Sequence, residues 1–289
     1  MFFNKVAKVK AFSNKKTLKL NGKLLDLSIP KVMGVLNVTP DSFYDGGRYI
    51  DTESVTSQAQ KMVDENVDII DIGGYSTRPG AIEVSEEEEK QRVCSAIETI
   101  KKAFPELPIS VDTFRASVAK AAINTGASMI NDVSGSSLDE KMFETVGDLN
   151  VPYVLMHMKG NPQTMTQLAQ YDNMLFEIMD YFQKKVNILR SFGTTDIVID
   201  VGFGFAKTID QNYELLRNLS YFQALELPLL AGVSRKSMIY KTLKIKPEEA
   251  LNGTTVVNTL AILNGANLLR VHDVKEAKET ITIINKTFA

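Results

Sequence analysis

Cys94 is the only cysteine in 289 residues, so no intramolecular disulfide can form and the fold must rest on its buried core. Neither sign of charge is in excess: 33 Lys+Arg against 35 Asp+Glu leave a formal net charge of -2. That removes the global field that gathers nucleic acid and leaves room only for local basic pockets, so small-molecule partners are expected. Long apolar runs are missing too. The stretch from Val256 to Leu263 is broken by Asn258 and Thr259, far short of the roughly 20 residues a bilayer span requires, and no membrane partner is expected. The first 25 residues carry Lys but neither Arg nor an acid, and no apolar run follows Met1-Phe2-Phe3; a secretory signal is therefore not expected, and the chain reads as cytoplasmic. No internal repeat or low-complexity tract is visible. With 44% hydrophobic and 24% charged residues the composition is that of an ordinary globular chain, and one this long buries about 75% of the surface its unfolded form exposes.

Length alone suggests about two domains, but the element pattern favours one. Short β-rich runs recur at Val32–Asn37, Ile69–Gly74, Ile109–Asp112, Met129–Asp132, Tyr153–Met158, Ile197–Val201, Leu229–Val233 and Leu268–Val271. Between them lie helical periods with start signals, among them Ser85 with Glu88 and Thr208 with Gln211, each at capping-box spacing. Glu86–Glu89 reads as the solvated first turn of a helix, favoured by its dipole. Sustained βα alternation means parallel pairing with right-handed crossovers, and eight units without a linker predict an α/β fold closed as a (β/α)8 TIM barrel, with an open doubly wound sheet as the alternative. The third and fourth units are tight, about 20 residues apart, leaving room for helices of two to three turns. Thr17–Leu20 and Lys23–Leu27 flank Asn21-Gly22, which predicts a hairpin covering the bottom of the barrel. A single domain over 1–289 follows, the hairpin at about 14–28 and the barrel at about 32–289.

In a barrel the side chains at the C-terminal strand ends face the active mouth. Polar residues closing the apolar runs are Asn37, Asp71, Thr77, Asp112, Asn131, Asp132, Met156-His157, Asp200, Ser234-Arg235-Lys236, Arg270 and His272. Carboxylates and amides come from the middle strands, whereas cations come from the last strand and two loops. This division suits a ligand with a donor-rich heterocycle at one end and phosphate at the other. Asp112, Asn131 and Asp200 can accept from an amidine-like edge, Lys236 can donate to a carbonyl or ring nitrogen, and Arg78, Arg270 and His272 can bind phosphoryl oxygens. Two loops, Asn37 to Gly47 and Gly73 to Gly80, exceed the usual length for such units and read as lids or binding elements.

From about Val32 to Val274 the chain resembles the dihydropteroate synthase family. The resemblance is carried in order by Asn37-Val-Thr-Pro-Asp-Ser-Phe43 with Asp45-Gly-Gly47, Ser76-Thr-Arg-Pro-Gly80, Val111-Asp-Thr113, Asn131-Asp-Val-Ser-Gly135, Leu155-Met-His-Met158, Asp200-x-Gly-Phe-Gly-Phe205, Ser234-Arg-Lys236 and Arg270-x-His272. It implies joining 4-aminobenzoate to (7,8-dihydropterin-6-yl)methyl diphosphate, giving 7,8-dihydropteroate and pyrophosphate, with Mg²⁺ and a homodimer, in the enzyme that sulfonamides target. By the same resemblance Asp112, Asn131, Asp200, Lys236, Met156 and Phe205 hold the pterin, and Thr77, Arg78, Arg270 and His272 the diphosphate. Phe43, Thr77, Pro79 and Ser234 shape the 4-aminobenzoate site, Asn37 binds the metal, and Lys236, Arg270 and Asp45 are catalytic. Ser234 precedes a predicted helix whose free N–H groups favour a carboxylate. A dissociative substitution is expected, with 4-aminobenzoate binding after the pterin. The chain departs from the family at Tyr75, Val201 and Ala206, where Glu, Pro and Gly are usual, which bears on the second loop and the shape over the pterin.

Simpler readings stand beside these. His157 reads as a hydrogen-bonded core histidine, Cys94 as a small buried hydrophobe, and Met165, Met174 and Met179 as packing. Asp71 and Asp132 cap strands or orient neighbours. Gly202 and Gly204 lack the third glycine of a dinucleotide fingerprint. The rival functions are a pterin-binding methyltransferase barrel, which would not need the Ser76–Gly80 or Ser234–Lys236 loops, and a non-catalytic pterin-binding relative.

Overall fold

A computed structural model describes residues 16–38, 51–75, 83–161 and 164–288. The eight runs form β3 (Lys31–Asn37), β4 (Ile69–Gly73), β5 (Ile109–Asp112), β6 (Met129–Asp132), β7 (Tyr153–Met156), β8 (Ile197–Asp200), β9 (Leu229–Ala231) and β10 (Leu268–Val271). All pair in parallel, and β10 returns to β3 to close the barrel. Nine helices are described between and after them: α1 (Thr52–Asp64), α2 (Glu86–Ala103), α3 (Ala116–Thr125), α4 (Met142–Leu149), α5 (Met174–Ser191), α6 (Ile209–Arg217), α7 (Ser237–Leu243), α8 (Leu251–Leu263) and α9 (Val274–Phe288). As their spacing requires, α3 and α4 are short. Among the described residues no helix is long and apolar enough to cross a membrane.

The hairpin forms as predicted. Strands β1 (Thr17–Leu20) and β2 (Lys23–Asp26) pair antiparallel across Asn21 (φ 50°) and Gly22 (φ 74°), the two left-handed residues of a type I′ turn. Leu18, Leu20 and Leu27 cap the barrel floor by packing on Met33, Ile69, Met129, Val154, Val198, Leu230 and Leu268. The larger core fills the space between the outer strand faces and the helices, from Leu36 and Ile72 to Phe182 and Phe222.

Four expectations need correction. Four strands stop one or two residues early, at Gly73, Met156, Asp200 and Ala231, because the following residues leave the extended region or turn along the rim; Gly202, for example, has φ 72°. His157, Val201 and Val233 remain buried there, so hydrophobicity reported burial and not strand pairing. Ser85 accepts from the Glu88 N–H at 3.3 Å, but Glu88 turns to Arg92 instead of completing the box; the Thr208–Gln211 box is reciprocal. Glu89 is not solvated: it is fully buried, accepting from Thr113 Oγ1 and Arg115 Nη1 at 2.6 Å each. Cys94 is partly exposed, not buried.

Candidate active site

At the C-terminal end of the barrel one pocket is lined by Asp112 (β5), Asn131 (β6), Met156 (β7), Asp200 (β8) and Arg270 (β10), with Phe205, Ser234, Lys236 and His272 from the loops just beyond. Asp112, Asn131, Asp200 and Arg270 each stand at or near the C-terminal end of a strand whose earlier residues are buried in the barrel wall. Arg270 ties the acids together. Its Nε donates to Asp71 Oδ2 and its Nη2 to Asp112 Oδ2, both at 2.6 Å, while Asn131 Nδ2 donates to the same Asp71 oxygen at 3.0 Å. Opposite them Asp200 Oδ1 accepts from the Gly202 N–H at 2.8 Å. The Lys236 ammonium lies 4.4 Å from the centroid of the Phe205 ring, which packs with Met156 and Val133.

Burial dominates the electrostatics. It pushes the Asp112 carboxyl up to about 7 against the pull of Arg270, with Asp71 adding to the rise. Asp200 is raised for the same reason, opposed by the Gly202 N–H and by Lys236. The Lys236 ammonium is pushed down to about 8 by burial, Asp200 resisting. The pocket therefore combines proton acceptors and a cation poised near neutrality, as a site for a polar heterocycle requires.

The placement of each expected residue can now be stated. Asp112, Asn131, Asp200, Lys236, Met156, Phe205, Arg270, Ser234 and His272 all line the one pocket. Arg270 is held at the acidic half of the pocket by ion pairs to two carboxylates, Asp71 and Asp112. Ser234 is engaged with His272: its Oγ accepts from the His272 N–H at 3.2 Å and lies 3.0 Å from Nδ1. The helix after it, α7, begins beyond Lys236 and runs only from Ser237 to Leu243. Asn37 ends β3 next to β4, its Oδ1 so near Gly73 that a Cβ there would lie 3.3 Å away. Phe43, Asp45, Thr77, Arg78 and Pro79 lie outside the described residues. Asp71, read from the sequence like Asp132 as a strand cap or orienter, is the buried hub joining Asn131 to Arg270; the signal is a lone carboxylate in Ile69-Ile-Asp-Ile72. Asp132, by contrast, accepts from the Ser134 and Ser136 N–H groups and the Tyr153 hydroxyl, and so braces the turn after β6.

Among the described residues no cluster of three His, Cys, Asp or Glu could cage a metal ion. The donor at the rim is the neutral amide oxygen of Asn37. One such oxygen suits Mg²⁺, which takes its other ligands from phosphate and water, and does not suit a structural transition metal.

Comparison with known proteins agrees with this geometry. The pterin binding enzyme family model matches residues 33–272. The dihydropteroate synthase of Escherichia coli (strain K12) is 43% identical over 270 residues, 93% of this chain and 95% of the relative. The crystal structure of Yersinia pestis dihydropteroate synthase in complex with a sulfonamide drug has a TM-score of 0.88 at 40% identity, covering 94% of this chain and 99% of that one. Xanthomonas albilineans dihydropteroate synthase with 4-aminobenzoic acid gives 0.87 at 39% identity, covering 95% and 98%. A shared barrel, a family match over most of the length and relatives above 30% identity together mean that this chain belongs to the dihydropteroate synthase family of pterin-binding enzymes.

Proposed function

We infer that the protein condenses (7,8-dihydropterin-6-yl)methyl diphosphate with 4-aminobenzoate to give 7,8-dihydropteroate and pyrophosphate. The observation that carries this is the convergence of Asp112, Asn131, Asp200, Lys236 and Arg270 on one pocket. The acids and Asn131 take the N–H edge of the pterin, Lys236 donates to its acceptor side, and Met156 and Phe205 flank the ring. The bond from the pterin methylene to the diphosphate oxygen breaks with its electron pair leaving on the diphosphate, and the positive charge spreads into the electron-rich ring. The aryl amine, already neutral, then forms the C–N bond and loses its proton to pyrophosphate or water. Asp112 and Asp200 stabilise the cationic pterin, while Arg270 and His272 serve the leaving group. Asn37 would hold Mg²⁺, which when bound neutralises charge on the diphosphate. Roles for Asp45, Thr77 and Arg78 at the diphosphate, and for Phe43, Thr77, Pro79 and Ser234 at 4-aminobenzoate, follow from the family motifs, as does binding of 4-aminobenzoate after the pterin.

The test is pyrophosphate release by purified protein with Mg²⁺. Release that requires both substrates is expected; pterin binding without turnover would leave only a scaffold. The same reading makes the chain a cytoplasmic, single-domain homodimer, for which α8 offers a surface. Val256, Leu260 and Leu263 are exposed along one of its faces, a patch a monomer would not favour. Leu260→Arg should then give a monomer by light scattering, and an unchanged dimer would move the interface elsewhere.

A further inference from the structure

We propose that Lys207, paired with a neutral His157, is a positioning residue for the pterin pocket: it pins the turn after β8 so that Asp200 and Phe205 face the ligand. This rests on the pterin-site reading and extends it, since neither Lys207 nor His157 lines the pocket.

The turn is unusual. Between Val201 and Lys207 the backbone is left-handed three times, at Gly202 (φ 72°), Gly204 (φ 80°) and Ala206 (φ 48°), so it needs outside ties to hold one shape. Lys207 supplies them from beneath. Its Nζ donates to Gly202 O and Phe205 O at 3.0 Å each and lies 3.2 Å from His157 Nδ1. Burial pushes the Lys207 ammonium down to about 7, with Asp200 resisting; in its charged form it has three N–H groups and no lone pair, so the three neighbours satisfy it when His157 presents an unprotonated Nδ1, its proton on Nε2. The surroundings of His157 enforce that neutral form. The ring is 3% exposed, packed against Tyr181 at 5.0 Å between centroids, and burial together with the Lys207 and Lys159 cations holds its pKa well below the usual value.

Both ends of the clamp reach the pocket. Gly202, whose carbonyl Lys207 holds, gives its N–H to Asp200 Oδ1; a Cβ on it would lie 2.1 Å from His157 O, so the turn sits directly on the histidine backbone. Phe205, whose carbonyl Lys207 also holds, carries the ring beside the Lys236 ammonium. Lys207 further draws Asp200 toward its ionised form. Other ties remain when Lys207 is removed: Gly204 N–H to Asn212 Oδ1 at 2.6 Å and the Tyr171 hydroxyl to Ala206 O at 3.0 Å. Loss of Lys207 therefore loosens the turn without unfolding the barrel.

The experiment compares Lys207→Met, His157→Leu and His157→Gln in the full chain. Calorimetry with the pterin diphosphate should show affinity reduced at least about tenfold in Lys207→Met and His157→Leu, as expected for hydrogen bonds to a charged group. The KM for 4-aminobenzoate should stay within about twofold, a split between the two substrates that general loss of structure would not give. His157→Gln, whose Oε1 can accept from the ammonium, should restore affinity. Because the chain has only two histidines, ring nitrogen-15 spectra can identify the His157 tautomer directly. A proton on Nδ1, or wild-type pterin affinity in folded Lys207→Met, would overturn the proposal. Should Lys207→Met not fold, the His157→Leu and His157→Gln pair decides. Failure of the wild-type protein to bind the pterin would instead defeat the pterin-site reading, and the ring spectrum would still test the clamp.

Discussion

Replacing Lys236 by Met should yield a protein that is more stable and nearly inactive. In the folded chain burial brings the ammonium down to about 8 from the ordinary 10.5, even with Asp200 and Asp112 attracting it. At pH 7 keeping the proton therefore costs the folded state about 3 kcal/mol relative to the unfolded chain. The Phe205 ring 4.4 Å away returns about 1 kcal/mol, and Asp200 loses a counter-charge in the variant. Met fills the volume of the Lys stem without a charge, so the net gain is about 1–2 kcal/mol, or roughly 2–6 °C in Tm. The sign has a pH signature. The penalty is fully present below the folded value near 8 and fades as pH rises toward 10.5, where both states are neutral, so the advantage of the variant should vanish there. Turnover should fall on the order of a hundredfold or more. Urea melts of both proteins at pH 7 and pH 10 provide the check. A variant less stable than wild type at pH 7 would refute the view that this cation is kept for chemistry against the interest of the fold.

Pterin affinity should fall about tenfold per pH unit below about 7, because burial leaves Asp112 protonated there and the ligand must displace that proton; calorimetry giving a flat profile from about pH 5.5 to 8 would contradict it. Gly22→Ala should cost about 1 kcal/mol, since nothing lies within 4 Å and only the left-handed backbone objects. Gly202→Ala should cost about 3 kcal/mol or more, adding a 2.1 Å clash with His157 O; equal losses in denaturant melts would show that the clash is relieved cheaply. Arg115→Met should destabilise by about 3–5 kcal/mol at neutral pH by stranding buried Glu89. Burial raises the Glu89 pKa, so this loss should shrink on acidification as the carboxyl takes up a proton, and a loss independent of pH would count against the pairing.

Much of this was legible in the sequence because the barrel repeats one local pattern: a short apolar run with a polar residue at or just beyond its C-terminal end. Asp112, Asn131 and Asp200 could be found that way, and the Asn21-Gly22 turn announced the hairpin. What stayed hidden depends on partners far along the chain. Asp71 looked like any strand carboxylate until Arg270, 199 residues later, was seen to donate to it. Glu89 sat in an acidic run that reads as a wet helix start, and only Arg115 and Thr113 on the next βα unit explain its burial. Strand ends were overrun for a related reason: residues such as Val201 and Val233 are apolar because the rim packs over them, which a hydrophobic pattern cannot tell from pairing. The usual Gly at position 206 has its counterpart in the geometry, since Ala206 is left-handed here.

The seam between β10 and β3 has a consequence for how the molecule comes to be made. Arg270 sits on the last strand, yet its partners Asp71 and Asp112 are synthesised 199 and 158 residues earlier. Until that strand leaves the ribosome, acidic groups face an interior that holds no guanidinium to balance them. Substrate recognition is thus among the final events of folding, and a nascent or C-terminally clipped chain lacks the cation that turns the ring of strands into a receptor.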